Sequence, residues 1–591
     1  MNNLKKIFFL INSREKKIFI LLIMLILIMA LFEMIGVASI LPFIAILSNP
    51  SLVDTNVILN TIFQHSLKLG VENKEEFLFF IGLFMFILLI TSIILKGLTG
   101  FFQVRFITSL EYNISKRLVE EYLHQPYSWF LSRHSSDLGK NILSETSTVI
   151  SGYIQSIIDL IAKTVIAIAI IILLLIVNLN LAFTIGSLLI FVYLVVIYFS
   201  RKYLKKIGVI RLKNNQLRFK AVNEAFGAVK AIKVGGLEKI YINNFSKSAQ
   251  IFAKTLASAQ IIVQIPRLVI EAIAFGGIIL MILYFIKEKG SFNYALPIIS
   301  LYVLAGYRLL PALQQIYMSY SNMNFHRPAF DKLYTDLKSL KHFNKSKDQE
   351  FLRFNKTIAL KNIYYSYPDA LRTVLKDVNL NFSVNSTIGL VGATGSGKTT
   401  TVDIILGLLE PQKGTLEVDG IIITEQNLRS WQKSIGYVPQ HIFLSDDTIA
   451  ANIAFGVETQ DINQNLVEKA SKIAELHQFV IDELPEQYQT KVGERGVRLS
   501  GGQRQRIGIA RALYHNPKIL ILDEATNALD HQTEKAVMDA INNLNKKTTI
   551  ILIAHRLNTV KNCDVIFKLD KGRVVNQGTF DQIIDYNNNY K

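Results

Sequence analysis

The sequence predicts a multidomain chain in which an all-α membrane part with six helices is followed by an α/β part. Apolar residues make up 50% of the 591 residues, and before about residue 320 they form long runs typical of transmembrane helices. After residue 350 the pattern is that of an ordinary soluble α/β protein. We therefore predict a transmembrane domain over 1–330, a linker over 331–354 and an α/β domain over 355–591.

Six apolar runs are candidate membrane spans. The first is longer than a bilayer requires, so we expect it to tilt or to project from the membrane, with a kink near Pro42. It lacks a small-residue cleavage site, so we expect a retained anchor and not a signal peptide. The six runs cover residues 18–47, 77–95, 157–177, 180–200, 263–286 and 294–314.

Charge is distributed unevenly between the two parts. Residues 1–350 hold 37 Lys and Arg against 20 Asp and Glu, whereas residues 351–591 hold 27 against 26. The basic residues lie at the N-terminus and in the loops at 96–156 and 201–262, which places both termini in the cytoplasm by the positive-inside rule. Anionic headgroups or an anionic cargo explain this charge, so we predict no binding of nucleic acid. The single cysteine, Cys563, excludes an intrachain disulfide.

A glycine-rich stretch in the α/β part fits the phosphate-binding pattern G-x-x-x-x-G-K-[ST]. A predicted strand precedes it and a predicted helix follows it, which is the context that the pattern requires. Lys398 would neutralise the β- and γ-phosphates of ATP, and Thr399 would bind Mg²⁺. The predicted ATP contacts in this stretch are Gly392, Thr394, Gly395, Ser396, Gly397, Lys398, Thr399 and Thr400.

A second element is an apolar strand that ends in Asp523 and Glu524. Asp523 would hold Mg²⁺ through water, and Glu524 would orient or deprotonate the water that attacks ATP. Two adjacent acids after a strand are common in isolation. Their position about 125 residues after the phosphate-binding loop favours ATP hydrolysis.

The most specific motif is the pentapeptide Leu-Ser-Gly-Gly-Gln at 499–503. A helix that starts at Ser500 with two bare glycines could approach a γ-phosphate closely. Residues 355–585 thereby resemble the ABC nucleotide-binding domain, with its motifs in the expected order. The resemblance implies that Ser500, Gly501, Gly502 and Gln503 contact nucleotide.

The resemblance assigns roles to four further positions. Isolated Tyr, Gln and His residues are usually structural, and Tyr364 and Tyr365 compete with Tyr367 for the adenine position. Asn527 stands where many relatives have serine, which we expect to be harmless. The implied roles are adenine stacking for Tyr367, Mg²⁺ contact for Gln440, the D-loop aspartate for Asp530 and the γ-phosphate switch for His555.

An ABC-type site implies two chains, because the signature of one subunit closes the site on the loop of the other. Both motif sets are intact in this chain, so a homodimer with two competent sites is the simplest prediction. A heterodimer with a paralogue stays open. The family resemblance also implies coupling helices in the cytoplasmic loops, which we place near 141–148 and 222–230, against the alternative of independent spans with simple loops.

Charged residues inside predicted spans are candidates for substrate contact. Arg308 lies deep in the sixth span, and Arg267 and Lys163 lie nearer the cytoplasmic face. Two interpretations remain open. Either Arg308 forms a structural pair with Glu33 or Glu271, or Arg308 contacts an anionic cargo group together with Arg267 and Lys163.

The membrane part resembles bacterial flippases of lipid-linked oligosaccharides used in protein N-glycosylation. The likeness lies in residues 32–43, 265–271 and 307–311, and in 47–54, where those proteins carry a short external helix. The resemblance implies outward movement of a polyprenyl-pyrophosphate glycan through the bacterial inner membrane, driven by ATP. Export of other lipids, drugs or peptides is the alternative, and an ATP-gated channel or regulator is a further one.

Overall fold

The computed structural model confirms the predicted fold class. It divides into two compact units, one of Met1–Gln125 with Arg133–His342 and one of Pro126–Ser132 with Phe343–Lys591. The first is helical and the second is mainly α/β. The residues described are 3–68, 70–177, 179–289, 292–341, 355–368, 370, 372–525, 529–542, 548–554 and 557–589.

The helical unit contains long helices joined by short ones. Its elements are α1 (Asn3–Leu10), α2 (Ser13–Ala38), α3 (Ile40–Ser48), α4 (Leu52–Thr55), α5 (Val57–Leu67), α6 (Lys74–Leu123), α8 (Ser135–Lys140), α9 (Thr146–Val149), α10 (Gln155–Val177), α11 (Leu179–Gly227), α12 (Val229–Gly235), α13 (Glu238–Lys289) and α14 (Phe292–Ser339). A short helix α7 (Tyr127–Leu131) groups with the other unit.

Three helical runs of the described chain are long and apolar enough to cross a bilayer: Ser13–Ser48, Lys74–Leu123 and Ser135–Val177. They contain the first three predicted spans. The other three predicted spans lie within α11, α13 and α14. The first run is interrupted at Ser39, as expected from Pro42, whose ring cannot continue the regular hydrogen bonding of the preceding turn.

Three predicted boundaries were wrong. Residues 141–148 form no separate coupling helix. Two π-helical turns, Asn141–Glu145 and Ile150–Ile154, join α8, α9 and α10 into one continuous helical run. The separate short helix in this loop is α7. Around 222–230 the short helix is α12, after α11 ends at Gly227. The linker predicted from 331 starts later, because α14 continues to Ser339.

The α/β unit has two sheets. Four strands form an antiparallel sheet in the order β2-β1-β4-β5, and six form a mainly parallel sheet in the order β10-β9-β3-β8-β7-β6. The strands are β1 (Thr357–Tyr365), β2 (Leu375–Ser383), β3 (Thr387–Val391), β4 (Lys413–Val418), β5 (Ile421–Ile422), β6 (Ile435–Val438), β7 (Ile519–Asp523), β8 (Thr549–Ala554), β9 (Val565–Asp570) and β10 (Arg573–Gly578).

Helices α15 to α22 complete this unit. Every residue of the central strands β3, β7 and β8 is buried, which is why their sequences are continuous apolar runs. The helices are α15 (Lys398–Ile405), α16 (Leu428–Lys433), α17 (Ile449–Ile453), α18 (Gln464–Ile473), α19 (His477–Glu483), α20 (Gly501–Tyr514), α21 (His531–Asn542) and α22 (Phe580–Asn589).

The strand order places the predicted motifs at one edge of the parallel sheet. Val391 at the end of β3 pairs with Ala554 of β8, and Asp523 at the end of β7 pairs with Ile553 of β8. The phosphate-binding loop and the acidic pair therefore leave the sheet on either side of β8. The carboxyl edge of parallel strands is where α/β sheets bind ligands.

Candidate functional site: a nucleotide site at the sheet edge

The phosphate-binding loop is a tight turn between β3 and α15. Gly392 has a φ of +156°, and a Cβ at this position would lie 2.2 Å from the carbonyl oxygen of Leu569. Only glycine fits this approach. Lys398 begins α15 and its Nζ donates to the carbonyl oxygens of Gly392 at 2.8 Å and Ala393 at 3.1 Å. The amine therefore lies over the loop whose N–H groups would surround a phosphate.

Lys398 is buried beside the acidic pair. Burial lowers the pKa of Lys398, while the carboxylates of Glu524 and Asp523 act in the opposite direction. The structure thus brings together the loop lysine and both predicted acids. A cation next to carboxylates is suited to share a site with Mg²⁺ and phosphate.

Tyr367 is the member of the tyrosine cluster that reaches the phosphate-binding helix. Its hydroxyl lies 3.0 Å from Oγ1 of Thr400 in α15. Tyr365 packs edge-on against the Tyr367 ring, with centroids 5.2 Å apart, and is itself buried. Tyr364 instead faces the amine of Lys413. This geometry favours Tyr367 among the three tyrosines as the adenine contact.

The acidic pair diverges at the end of β7. Asp523 is still in the strand and is buried, whereas Glu524 has a φ of +50°, a left-handed conformation that is uncommon outside glycine. The N–H of Glu524 donates to the carbonyl of Ile553 at 3.2 Å. Its carboxylate accepts a hydrogen bond of 2.9 Å from the side-chain amide of Gln440. The predicted base and the predicted Q-loop glutamine are thus in direct contact.

The signature residues form the start of α20. Oγ of Ser500 accepts from the N–H of Gln503 at 3.1 Å, and Oε1 of Gln503 accepts from the N–H of Ser500 at 2.7 Å. This reciprocal capping box stabilises the first turn, which also holds Gly501 and Gly502. Their contact with a nucleotide on a second copy stays a prediction.

Asp530 stands just before α21. Its carboxylate accepts from the N–H and the hydroxyl of Thr533 at 2.9 and 2.7 Å, and these bonds lower the pKa of Asp530. The predicted switch His555 and the D-loop residue Asn527 lie outside the described residues. The neighbouring Ala554 ends β8, between the phosphate-binding loop and the acidic pair.

Asp403 is a carboxylate near the site that the sequence analysis did not identify. It lies on α15, and burial raises its pKa to about 6, with the nearby Asp523 acting in the same direction. The phenol of Tyr437 faces both aspartates. The sequence pattern that could have identified Asp403 is a single acid within the apolar stretch from Val402 to Leu409.

In the helical unit the structure forms the pair between Glu33 and Arg308. Arg308 Nη1 donates to Glu33 Oε1 at 3.4 Å, and Glu33 is buried. The alternative pair between Glu271 and Arg308 does not form, because Glu271 accepts from Arg267 at 2.7 Å, one helical turn away. Arg267 is 57% exposed in this pair.

Lys96 is a further charged residue that the sequence analysis missed as a site residue. Its Nζ lies 3.9 Å from Oε1 of Glu33, and Glu33 itself lies half-way along the first predicted span. By sequence alone Lys96 begins the basic loop at 96–156, which predicts a position at the cytoplasmic end of the second span. Lys163 interacts electrostatically with both Lys96 and Glu33. Glu33, Lys96, Lys163 and Arg308 form what we call the membrane charge cluster, and a second acid, Asp159, also interacts electrostatically with Lys163.

Comparisons with known proteins agree with this architecture. Residues 18–304 match the family model "ABC transporter transmembrane region", and residues 375–527 match the model "ABC transporter". The chain therefore belongs to the ABC transporter family. The first match falls on the helical unit and the second on the α/β unit.

Individual relatives are similar over different lengths. An ATP-dependent lipid A-core flippase of Wigglesworthia glossinidia brevipalpis is 29% identical over 87% of each chain. Another lipid A-core flippase, of Alkalilimnicola ehrlichii, is 42% identical over 39% of each chain. Multidrug resistance protein 1 of Entamoeba histolytica is 44% identical over 39% of this chain. The matched part covers only 18% of that relative.

A solved structure supports the fold. The structure of a bacterial Atm1-family ABC exporter with ATP bound has a TM-score of 0.76 and 21% identity, over 98% of this chain and 97% of that one. At that identity the likeness concerns the fold alone. The helical domain followed by the α/β domain is the exporter fold.

Proposed function

We propose that this chain is one half of a homodimeric exporter that hydrolyses ATP to move an amphipathic anionic lipid from the cytoplasmic to the outer leaflet. Within this class we propose a polyprenyl-pyrophosphate-linked oligosaccharide as the substrate. The observation that carries the anionic substrate is the membrane charge cluster. Its three cations outnumber the two acids that interact with them, Glu33 and Asp159, and charged residues within a membrane domain are costly and mark functional sites.

ATP turnover depends on the residues collected at the sheet edge. Lys398 would leave the carbonyls of Gly392 and Ala393 and bind the β- and γ-phosphates. Glu524 would exchange its contact with Gln440 for the attacking water. Both side chains already form hydrogen bonds within the protein. Exchanging these partners for nucleotide or water would leave few polar groups unsatisfied, so the exchange costs little free energy.

Mg²⁺ fits the predicted ligand set of Thr399, Gln440 and Asp523. All three supply oxygen, which Mg²⁺ prefers, and one carboxylate completed by phosphate oxygens and water is a usual Mg²⁺ environment in nucleotide sites. When bound, the ion would neutralise charge on the phosphates. Asp523, buried at the strand end, would hold it from the protein side.

A second copy is part of the proposal. The helix tip at Ser500 has its capping box complete and Gly501 and Gly502 in its first turn. In an ABC dimer such a tip would close the phosphate-binding loop of the other subunit. Both elements occur once in this chain, so two copies would form two equivalent sites.

The lipid substrate is supported by the Arg308 geometry and by the external segment. Arg308 presents a guanidinium fork, which suits phosphate oxygens. After the first predicted span, residues 47–54 resemble the stretch where lipid-linked oligosaccharide flippases carry a short external helix; α4 begins within this stretch and α5 follows it. Val57 and Ile58 of α5 are 80% and 70% exposed, an apolar surface suited to lipid chains.

A lipid of the lipid A-core type is a second candidate. The Wigglesworthia relative, which aligns over 87% of both chains, is named for that activity. Such a substrate is also an amphipathic anion, so the membrane charge cluster does not separate the two. The choice between them requires transport measurements.

The test is flipping by purified protein in proteoliposomes. We expect ATP-dependent movement of a polyprenyl-pyrophosphate oligosaccharide, loss of movement in Glu524→Gln, and a decrease of about tenfold or more in Arg308→Ala. Arg105→Ala is the matched control, because Arg105 is exposed on α6 and lies outside both the membrane charge cluster and the predicted substrate residues, so this variant should flip normally. Movement of a lipid A-core lipid alone would replace the proposed substrate, and ATP-independent leakage of ions would favour a channel.

A further inference from the structure

The segment that follows Gln440 is packed closely against the signature helix α20. Ile442 Cδ1 lies 2.3 Å from the place that a Cβ on Gly508 would occupy, so a larger residue at 508 would force the Ile442 side chain to shift. Leu444 Cδ1 lies 2.6 Å from the corresponding place at Gly496, just before the signature. The chain after the Q-loop glutamine therefore follows the surface of the signature element.

Arg511, near the end of α20, joins the same segment by its guanidinium. Nη1 donates to the carbonyl of Phe443 at 2.8 Å, and Nε donates to the carbonyl of Asn452 at 2.8 Å. Nη2 donates to Oδ1 of Asn452 at 3.2 Å, and the Phe455 ring lies 4.5 Å from the guanidinium carbon. One side chain thus binds both ends of the stretch from 443 to 452.

Asn452 extends this contact within the segment. It is fully buried, and its Oδ1 also accepts from the N–H of Ser445 at 3.0 Å. Its amide donates to the carbonyls of Ser445 and Thr448 at 3.0 and 3.1 Å. The polar groups of this turn are therefore arranged around the Arg511 fork. Burial lowers the pKa of Arg511 to about 10, and its hydrogen bonds and the aromatic ring offset the cost of that desolvation.

We propose that Arg511 is a positioning residue that makes the Q-loop segment and the signature helix move as one body. A displacement of Gln440, which contacts Glu524 in one ATP site, is then carried along α20 to Ser500. At 1.5 Å per residue this path along the helix is about 16 Å. Ser500 serves the site on the second copy, so Arg511 couples the two ATP sites of a dimer.

This inference rests on the proposed dimer but not on the identity of the transported lipid. Its readouts are nucleotide binding and hydrolysis by the full-length chain, without any lipid substrate. A protein that does not flip the proposed lipid would therefore not contradict the proposed role of Arg511. A chain that hydrolyses ATP as a single copy would contradict the dimer itself, and size measurement of the active species detects that case.

The experiment compares wild type, Arg511→Gln, Arg511→Lys and Arg429→Gln in lipid nanodiscs. Arg429 is exposed on α16 and donates only to Gln432 among the described contacts, so its variant controls for the loss of one positive charge. For Arg511→Gln we expect MgATP affinity close to wild type and a protein that stays folded at the assay temperature, with a lower unfolding temperature because the carbonyls of Phe443 and Asn452 lose a donor. We expect its kcat to fall about tenfold and its Hill coefficient for ATP to approach one.

Arg511→Lys keeps the charge but not the fork, so we expect an intermediate kcat. Arg429→Gln should match wild type in every readout. The proposal is overturned if Arg511→Gln keeps both kcat and Hill coefficient. It is also overturned if hydrolysis falls only in proportion to a lost folded fraction or to weakened MgATP binding, because either result describes a purely structural arginine.

Discussion

The side-chain amide of Gln440 donates a 2.9 Å hydrogen bond to the carboxylate of Glu524, across 84 positions of sequence. Glu524 is held in a left-handed backbone conformation that turns it away from the strand containing Asp523. The two neighbouring acids can therefore have different tasks, one at the metal and one at the attacking water. The contact also keeps the Glu524 carboxylate satisfied while no water is being activated.

We expect Glu524→Gln to bind MgATP with near-normal affinity but to hydrolyse it about 100-fold more slowly or worse, because a glutamine cannot accept the proton of the attacking water. The amide oxygen can still accept from Gln440, so the fold should be kept. Hydrolysis and nucleotide binding of the purified chain provide the measurement. The exposed Glu410→Gln serves as control, and full turnover by Glu524→Gln would show that another group is the base.

Tyr367 is predicted to contact adenine by its ring and α15 by its hydroxyl. Tyr367→Phe loses only the 3.0 Å contact with Thr400, so we expect the KM for ATP to change by no more than about threefold. Tyr367→Ala loses the ring as well, and its KM should rise about tenfold. Tyr364→Ala is the matched control. A larger effect at Tyr364 than at Tyr367 would move the adenine contact to that residue.

A buried ion pair joins α11 to the π-helical turn at Asn141–Glu145. Arg211 Nη2 lies 2.5 Å from Glu145 Oε2, both side chains are less than 5% exposed, and Asn215 donates to Glu145 Oε1 at 2.7 Å. We expect Arg211→Met to destabilise the chain by about 3–5 kcal/mol, because it leaves a buried carboxylate without its counter-ion.

The double variant Glu145→Met/Arg211→Met should recover most of that loss, since no charge remains to be desolvated. Lys220→Met is the control, because it breaks an exposed pair with Glu224 and should cost less than about 1 kcal/mol. Thermal and denaturant unfolding in detergent measure these differences. A double variant as unstable as Arg211→Met would mean that the pair itself, and not the stranded charge, stabilises the unit.

Asp403 predicts a pH dependence of stability. Burial raises its pKa from 3.8 to about 6, so the folded state holds this proton more tightly than the unfolded chain does. Ionisation of Asp403 therefore lowers the free energy of unfolding. This loss of stability is absent below the unfolded pKa of 3.8 and complete above about pH 6. Asp403→Asn should raise the unfolding temperature more at pH 7.5 than at pH 5. The exposed Asp446→Asn should show no such difference, and a pH-independent gain at Asp403 would refute this assignment.

Much of the α/β site could be predicted because its motifs are local. A glycine loop between a strand and a helix, or a buried strand that ends in two acids, needs only neighbouring residues to be recognisable, and the strand order then brings these ends together. Helical bounds at turns were less predictable. The coupling-helix positions failed because π-helical turns and tight helix ends depend on packing against other helices, for which no local residue pattern is specific.

The sequence by itself determined the two-part architecture, the six apolar runs and the residue types of the nucleotide site, since hydrophobic periodicity and motif spacing are properties of adjacent positions. Only the tertiary structure decided which charges meet. Arg308 pairs with a residue 275 positions away, Lys96 joins the same acid, and Arg511 binds the segment after Gln440. Such contacts depend on helix rotation and strand order, because the energy of a charge or hydrogen-bond pair is set by distance in space and not by separation along the chain.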